Sequence, residues 1–521
     1  MGRRGASSLS NDISQSAPSL RSIGVEEIST RAGSGPNHGI PVDVRPHLRL
    51  IVGIMDPFSP FRTKMEADGL SEAAIRAFEH SYRALQRNET GMIRESDIDP
   101  VHQLPHCKDL PEVAPEEFLR LLQQTVVIKL NGGLGTGMGL EKAKSLLPVR
   151  DGMSFLDLIA KQILHLRAAT GGTAPRFLLM NSFSTSADTR AALQKHPTLG
   201  DPAKLEMLQN RVPKVDASTL APLAWPKNPA QEWCPPGHGD IYASLLGSGV
   251  LDSLLADGIL YAFVSNSDNL GADLDPKLLS WFAQSWAPFA MEVTRRTSAD
   301  SKGGHLARRH SDQRLILRES AQCAAEDAHS FEDIGRHQFF NTNNLWIRLD
   351  RLKEALEDNG GLILLPMIRN TKTADPRDDS SPKVYQLETA MGAALECFSG
   401  AAAIEVPRER FAPVKTTSDL MVIRSNACVL TDDFRIELHP SRRGQPPLLE
   451  LDKAHYKLVD GLETLISQGV PDLLECKRLT VKGKMRFAPG VKFSGTVSLQ
   501  SHAPEGALVP AKTYADGHHD V

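Results

Sequence analysis

The sequence predicts an α/β protein: a mixed sheet layered between helices, a small helical region before it and a left-handed parallel β-helix after it. Three observations carry this. From about 124 to 430, short apolar runs alternate with amphipathic helical patterns, the signature of strands and helices in alternation. Between Glu66 and Gln123, apolar residues recur at helical spacing. Over the last hundred residues, two apolar series each repeat every sixth residue.

At 521 residues the chain exceeds one core and fits about two to four domains. Its 59 basic and 63 acidic residues give a net charge of −4, so no basic field points to nucleic acid or to a membrane surface. No apolar stretch approaches the ~18–20 residues of a membrane span, and no N-terminal apolar segment reads as a signal peptide. Cys107, Cys234, Cys323, Cys397, Cys428 and Cys476 stand far apart with no CxxC pair, which argues against a disulfide scaffold or a zinc site and for a reducing, cytoplasmic setting.

Taken in order, residues 1–45 are rich in Ser, Arg, Gly and Pro and predict a disordered tail. The Ser- and Arg-rich start overlaps with transit-peptide composition, although an untargeted tail is the plainer reading. Residues 46–123 form the helical region: Ile75, Phe78, Tyr82 and Leu85 mark one helix and Phe118, Leu121 and Leu122 another. Pro100, Pro105, Pro111 and Pro115 keep the helices in its second half short. Within 124–430, Thr125–Leu130, Phe177–Met180 and Leu260–Val264 read as buried strands and Phe155–Leu166 as an amphipathic helix. In 431–521 the two series are Leu479, Met485, Val491, Val497 and Val481, Phe487, Phe493, Leu499, the double period of a β-helix with one short strand per face. An ordinary β-meander is the alternative.

The strongest chemical signal is KLNGGLGTGMGLEKAK, from Lys129 to Lys144. A strand enters five glycines within eight residues (Gly132, Gly133, Gly135, Gly137 and Gly139), and Lys142 and Lys144 follow. Glycine lets backbone N–H groups approach phosphate oxygens, and the lysines neutralise them. The P-loop pattern is absent. The dinucleotide fingerprint also fails, because Met138 and Leu140 stand where its last glycine belongs. Further polar clusters sit at strand ends or turns: Gln209 with Lys214, the PPGHGD turn carrying Gly237 and His238, and Asn266 with Asp268 after a strand. A carboxylate at such an end is a hard-oxygen ligand suited to Mg²⁺. FFNTNNLW (339–346) sets three amides between aromatics, suited to hydroxyl-rich ligands, and RERFAPVK (408–415) brings a second cationic cluster.

In this order the segments resemble the eukaryotic UTP–glucose-1-phosphate uridylyltransferase (UDP-glucose pyrophosphorylase) family over roughly residues 66–505, with GLGTGMGLEKAKSLL nearest the protozoan members. Gly137 and Met138 argue against the related UDP-N-acetylglucosamine pyrophosphorylases, whose pattern has Arg-Leu there, and Ser267 replaces a glycine of several relatives. The resemblance implies a Rossmann-like, GT-A-like mixed-sheet nucleotidyltransferase domain ending in the β-helix. It implies a reversible reaction, UTP plus glucose 1-phosphate giving UDP-glucose and pyrophosphate, with Mg²⁺ as cofactor. It assigns Leu130, Asn131, Gly132, Gly133, Gln209, Gly237 and Asn266 to the nucleotide. His238, Asn341 and Asn343 go to the sugar phosphate, Lys144, Lys415 and Asp268 to catalysis, and Asp268 to the metal. A homo-oligomer through the β-helix is a further expectation, since an unpaired edge can dock a second subunit. A broader UDP-sugar pyrophosphorylase and a silent UDP-sugar-binding protein are the alternatives.

Overall fold

The computed structural model describes residues 56–521 except 173, 298 and 299; the predicted tail, 1–45, lies outside the described residues, as do 46–55. Helices α1 (Ser59–Ala67) and α2 (Glu72–Gln86) open the described chain, α2 capped by Ser71, whose side chain accepts from Ala74 N. Their apolar faces meet: Phe58, Phe61, Met65, Phe78 and Tyr82 are buried together. The predicted helical region is not helical throughout. Residues Ile98–Pro100 form a strand, β1, that pairs with a strand of the main sheet, and apart from single 3-10 turns at Glu95–Asp97 and Cys107–Asp109 helix comes back only at α3 (Pro115–Gln123). Pro100 is tolerated because β1 is a sheet edge, and Pro115 because it stands in the first turn of α3.

The main sheet continues with β2 (Thr125–Asn131), then helix α4 (Phe155–Ala169), β3 (Arg176–Asn181), β4 (Glu206–Leu208), helix α5 (Ile241–Gly247), β5 (Tyr261–Asn266) and helix α6 (Pro276–Ser285). Strands β6 (Phe289–Arg295), β7 (His305–Arg309), β8 (Leu315–Arg318), β9 (Phe339–Arg348) and β10 (Ala402–Glu405) complete it, and helix α7 (Thr417–Arg424) follows. The order is β1-β7-β9-β5-β2-β3-β4, with β6 between β9 and β10 and β8 beside β7. Strands β5, β2, β3 and β4 run parallel, and β9 turns antiparallel to β5.

Covered on both faces, β2 has no polar alternation. Val127, Phe177 and Phe263 face the core under α4 and α6, while Val126, Ile128 and Val264 face the core under α5. Helix α4 begins at a capping box between Ser154 and Asp157. The sheet is therefore fixed from two sides, and its parallel carboxyl ends are where loops are free to carry chemistry.

Beyond α7, Cys428–Leu430 and Ile436–Leu438 form an antiparallel hairpin, so parallel pairing begins only at β11 (Leu448–Leu451). Two short helices, Lys453–Tyr456 and Val459–Leu465, precede β12 (Asp472–Lys482), β13 (Met485–Phe487), β14 (Lys492–Gln500) and β15 (Ala507–Val509). Leu479 of β12 pairs in parallel with Val497 of β14, Val497 with Gly517, and Met485 of β13 with Ala507 of β15. All eight residues of the two six-residue series are at most 1% exposed. Their core is continuous with that of α4 and α7.

Candidate functional site

The neighbouring carboxyl ends of β2 and β5 build the first wall of a cleft. Asn266 lies opposite Leu130 in the parallel register, and Ser267 N donates to Leu130 O at 3.0 Å. The side chain of Asn131 turns away from the cleft. It is buried, donates to Asn181 Oδ1 and Thr189 Oγ1, and accepts from Ser267 Oγ, so it ties three strand ends together.

Gly132 and Gly133 follow, and here the predicted base-site residues converge from three distant segments. Gln209 Nε2 donates to Gly237 O at 2.8 Å, and a methyl group on Gly132 would stand 2.7 Å from Gln209 Oε1. Gly237 has φ +81°, and a Cβ there would sit 2.5 Å from Thr389 O, so both the backbone conformation and the space require glycine. The next residue, His238, accepts at Nδ1 from Met391 N at 2.9 Å. Burial pushes its imidazole down to about 4. The neutral ring then carries its proton on Nε2, ready to donate. Two residues on, Asp240 accepts from Asn210 N at 2.7 Å and from Ser244 Oγ at 2.8 Å, and burial pushes its carboxyl up to about 6.

The glycine loop closes on itself through Lys144 N, which donates to Gly133 O at 3.1 Å. That return brings Lys144 Nζ to 2.6 Å from Asp268 Oδ2, with the two side chains only 17% and 20% exposed. Asp268 O accepts from Val414 N at 3.2 Å, and Asn269 bridges to Pro413, so Lys415 begins where this contact ends. Lys415 Nζ stands 5.7 Å over the Phe411 ring, one residue ahead of the Thr416–Asp419 capping box that starts α7. Among the described residues no group of three His, Cys, Asp or Glu could hold a metal. Asp268 alone would offer a carboxylate to a cation here, which suits an ion that takes its remaining ligands from phosphate and water, as Mg²⁺ does.

The opposite wall comes from the antiparallel half of the sheet. Asn341 lies opposite Val293 but Asn344 opposite Glu292, so Thr342 and Asn343 bulge out, and Asn343 takes φ +58°. The two predicted sugar-site amides lock together: Asn341 Nδ2 donates to Asn343 Oδ1 and Asn343 N to Asn341 Oδ1, both at 2.9 Å. The third amide of the cluster, Asn344, is fully buried on Glu292 and faces away from them. Sequence reasoning missed Glu319. Burial raises its carboxyl, against the opposing effects of Asn341 and of the Lys415 charge. The available signal was Gly303-Gly304: a Cβ on Gly304 would meet Glu319 Oε2 at 2.5 Å.

The second cationic cluster is also smaller than its sequence promises. Arg408 pairs with Asp300 at 2.7 Å, and Arg410 with Glu292 and Asp273. Among the described residues, only Lys415 of the three cations has no carboxylate partner.

A family model described as UTP–glucose-1-phosphate uridylyltransferase matches residues 75–494. The chain is 39% identical over 406 residues to the Solanum tuberosum UTP–glucose-1-phosphate uridylyltransferase, covering 76% of this chain and 82% of the relative. It is 41% identical over 383 residues to that of Saccharomyces cerevisiae, covering 72% and 74%. Among solved structures it is similar to a Leishmania major UDP-glucose pyrophosphorylase variant in complex with UDP-glucose, with TM-score 0.84, 47% identity and coverage of 89% and 98%. It is also similar to a Trypanosoma brucei UDP-glucose phosphorylase, with TM-score 0.81, 46% identity and coverage of 89% and 99%.

Proposed function

The chain belongs to the UTP–glucose-1-phosphate uridylyltransferase family, and from that premise we propose how its residues divide the work of the reaction. The protein is a nucleotidyltransferase: UTP and glucose 1-phosphate give UDP-glucose and pyrophosphate. The nucleophile is a phosphate oxygen of the sugar phosphate, anionic at neutral pH, so no side chain has to remove a proton first. What the chain supplies is alignment of two polyanions and compensation of their charge.

The uracil lies between the backbone of Leu130, Asn131, Gly132 and Gly133 and the Gln209–Gly237 pair, where an amide already fixed by one hydrogen bond keeps its other polar groups for the base edge. Lys144 draws the UTP phosphates onto the glycine loop. Asn266, at the end of β5, lies where nucleotide and sugar phosphate meet. Lys415, close to Glu319 and Asn341, takes the phosphate of the sugar. Asn341, Asn343 and Glu319 exchange hydrogen bonds with glucose hydroxyls, and His238 donates from Nε2 to the sugar phosphate. Asp268 would hold Mg²⁺, which when bound adds positive charge beside the phosphates. The observation that carries this division is the 2.6 Å Lys144–Asp268 pair at the carboxyl ends of parallel strands. It sets a cation donor and a hard-oxygen ligand side by side at the mouth of a glycine loop.

The central domain is read as GT-A-like. The parallel stack from β11 onward is read as the left-handed β-helix, supported by parallel pairing and by the buried double six-residue period. Its outer edge is the proposed site of homo-oligomer contact. A cytoplasmic setting agrees with six free cysteines; no helix of the described residues is long and apolar enough to cross a membrane.

The test is pyrophosphate release from UTP and glucose 1-phosphate with Mg²⁺, run beside galactose 1-phosphate, N-acetylglucosamine 1-phosphate and the other nucleoside triphosphates. Selective turnover of the UTP–glucose pair is expected. Comparable turnover of several sugars would replace it with the broad UDP-sugar reading, and binding of UDP-glucose without turnover would replace it with the silent binder.

A further inference from the structure

Resting on the role given to Lys415 above, we propose that Glu292 and Arg410 are positioning residues. Their buried ion pair sets Lys415, Asp268 and the asparagine bulge relative to one another. None of the three cleft segments is contiguous with another in sequence, and each is fastened to this pair. Glu292, on β6, is fully buried and its carboxylate accepts four hydrogen bonds. Two come from Arg410, through Nε and Nη2 at 2.9 Å each. One comes from Trp346 Nε1 at 3.0 Å and one from Asn344 Nδ2 at 3.0 Å, both on β9 just past the bulge. Glu292 O accepts as well, from Thr342 Oγ1 at 2.7 Å, inside the bulge itself. The strand partner that makes the register jump at Asn341–Asn344 therefore also holds Thr342 inside that jump and Asn344 at its far end.

Arg410 carries the connection to the other wall. Its Nη1 donates to Asp273 Oδ1 at 2.6 Å and its Nη2 to Asp273 O at 2.8 Å, on the loop that leaves Asp268. Its own carbonyl accepts from Asn269 Nδ2 at 3.0 Å, and Asn269 Oδ1 accepts from Ala412 N at 3.0 Å. The Asn269 amide thus clasps segment 410–412 to the residue next to Asp268, and Lys415 leaves that clasp three residues later. A buried ion pair of this kind gives little net stability over apolar packing of the same volume, so its value lies in directional geometry. The planar guanidinium bonds Glu292 and Asp273 from two sides at once, which a lysine cannot reproduce.

The bulge and Asp268 are also held by their own strand ends, whereas segment 410–415 is held by this pair and the Asn269 clasp, so loss of the pair should act through Lys415, and that separates it from a merely stabilising pair. The experiment compares Arg410→Lys and Asn269→Ala, each alone and combined with Lys415→Ala, by pyrophosphate release and thermal unfolding. Arg410→Lys is expected to remain folded and to lose about tenfold or more in kcat, because small displacements of a positioned group are costly. Its KM for UTP should stay within about twofold, as Arg410 makes no hydrogen bond to the glycine loop itself. In the Lys415→Ala background the same change should cost less than about threefold, the non-additivity of residues acting as one unit. Asn269→Ala breaks the clasp but leaves the ion pair, and should follow the same pattern; it carries the test if Arg410→Lys does not fold. The proposal is overturned if the folded variant keeps kcat within about twofold of the parent, or if its loss multiplies fully onto that of Lys415→Ala. Full turnover in Lys415→Ala alone would instead overturn the role given to Lys415.

Discussion

Along the glycine loop and the Gly237 turn, the contacts proposed for the nucleotide are backbone and one amide. Across from it the proposed contacts are the side chains of Asn341, Asn343, Glu319 and Lys415, and the segments of all but Glu319 are tied to the buried Glu292–Arg410 pair. On the first wall precision comes from what is missing, since an added methyl at Gly132 or Gly237 would strike a neighbour at 2.7 or 2.5 Å. On the second wall precision comes from what is present, a four-donor carboxylate under a strand bulge. The difference teaches where each wall is fragile: the first to added atoms, the second to altered charge.

The largest effect should come where the two walls meet. Lys144→Ala and Lys415→Ala are each expected to lower kcat on the order of 10²-fold or more with the fold intact, as loss of a charge-stabilising donor does. Steady-state rates beside a thermal melt check this, and near-normal turnover in either variant removes that lysine from the mechanism. Next, Gly237→Ala should raise KM for UTP about tenfold and lower Tm by several degrees, because the added carbon meets backbone at positive φ. Asn343→Ala should raise KM for glucose 1-phosphate by a similar factor and leave that for UTP alone. A common response of both constants in both variants would dissolve the distinction between the walls.

Gln209→Ala is a subtler probe of the first wall. Discrimination of UTP against the other triphosphates should fall about tenfold, since a buried polar partner carries selectivity. Competition kinetics that leave selectivity unchanged would take Gln209 out of the base site.

The smallest expected effect is on stability against pH. His238, held down to about 4, lacks a proton in the folded state that the unfolded chain holds up to its ordinary 6.5, so acidification through that window destabilises. Asp240, pushed up to about 6, holds a proton that the unfolded chain has lost above its ordinary 3.8, so acidification there stabilises. Between pH 4 and 6 the two nearly cancel. Asp240→Asn removes the second contribution, and the variant should lose on the order of 2 kcal/mol more than the parent between pH 6.5 and 4. Urea midpoints at several pH values measure this, and parallel profiles would refute it.

How much of this is legible in the sequence follows the same division. Glycine is scarce in strands and conspicuous at their ends, so the first wall announced itself, as did the parallel core in Val126–Ile128 and the six-residue series from Leu479 to Leu499. The second wall is written in ordinary residues. Glu319 is marked only indirectly, by the Gly303-Gly304 pair that makes room for it, because its place there depends on Asn341 arriving from another strand. Arg408 and Arg410 read as free cations until Asp300, Glu292 and Asp273 are brought to them. The place of Asn131 at a strand end is legible in the sequence, whereas the hold of its side chain on Asn181 and Thr189 is not, because both partners come from distant segments. The strand Ile98–Pro100 escaped notice because three residues are too few to show a period.

The Lys144–Asp268 contact, seen from solution, makes the resting cleft an ion exchanger already loaded with its own counter-ion. On the proposed reading, an entering polyanion finds one free ammonium, at Lys415, and must take the other, at Lys144, from a carboxylate. Were Asp268 released in this way, a triphosphate carrying its own cation would satisfy both released partners at once, whereas a bare triphosphate would leave one stranded. Added monovalent salt weakens the resting contact and the incoming one together. The ionic-strength dependence of uptake should therefore be shallower than a count of the two lysines would give.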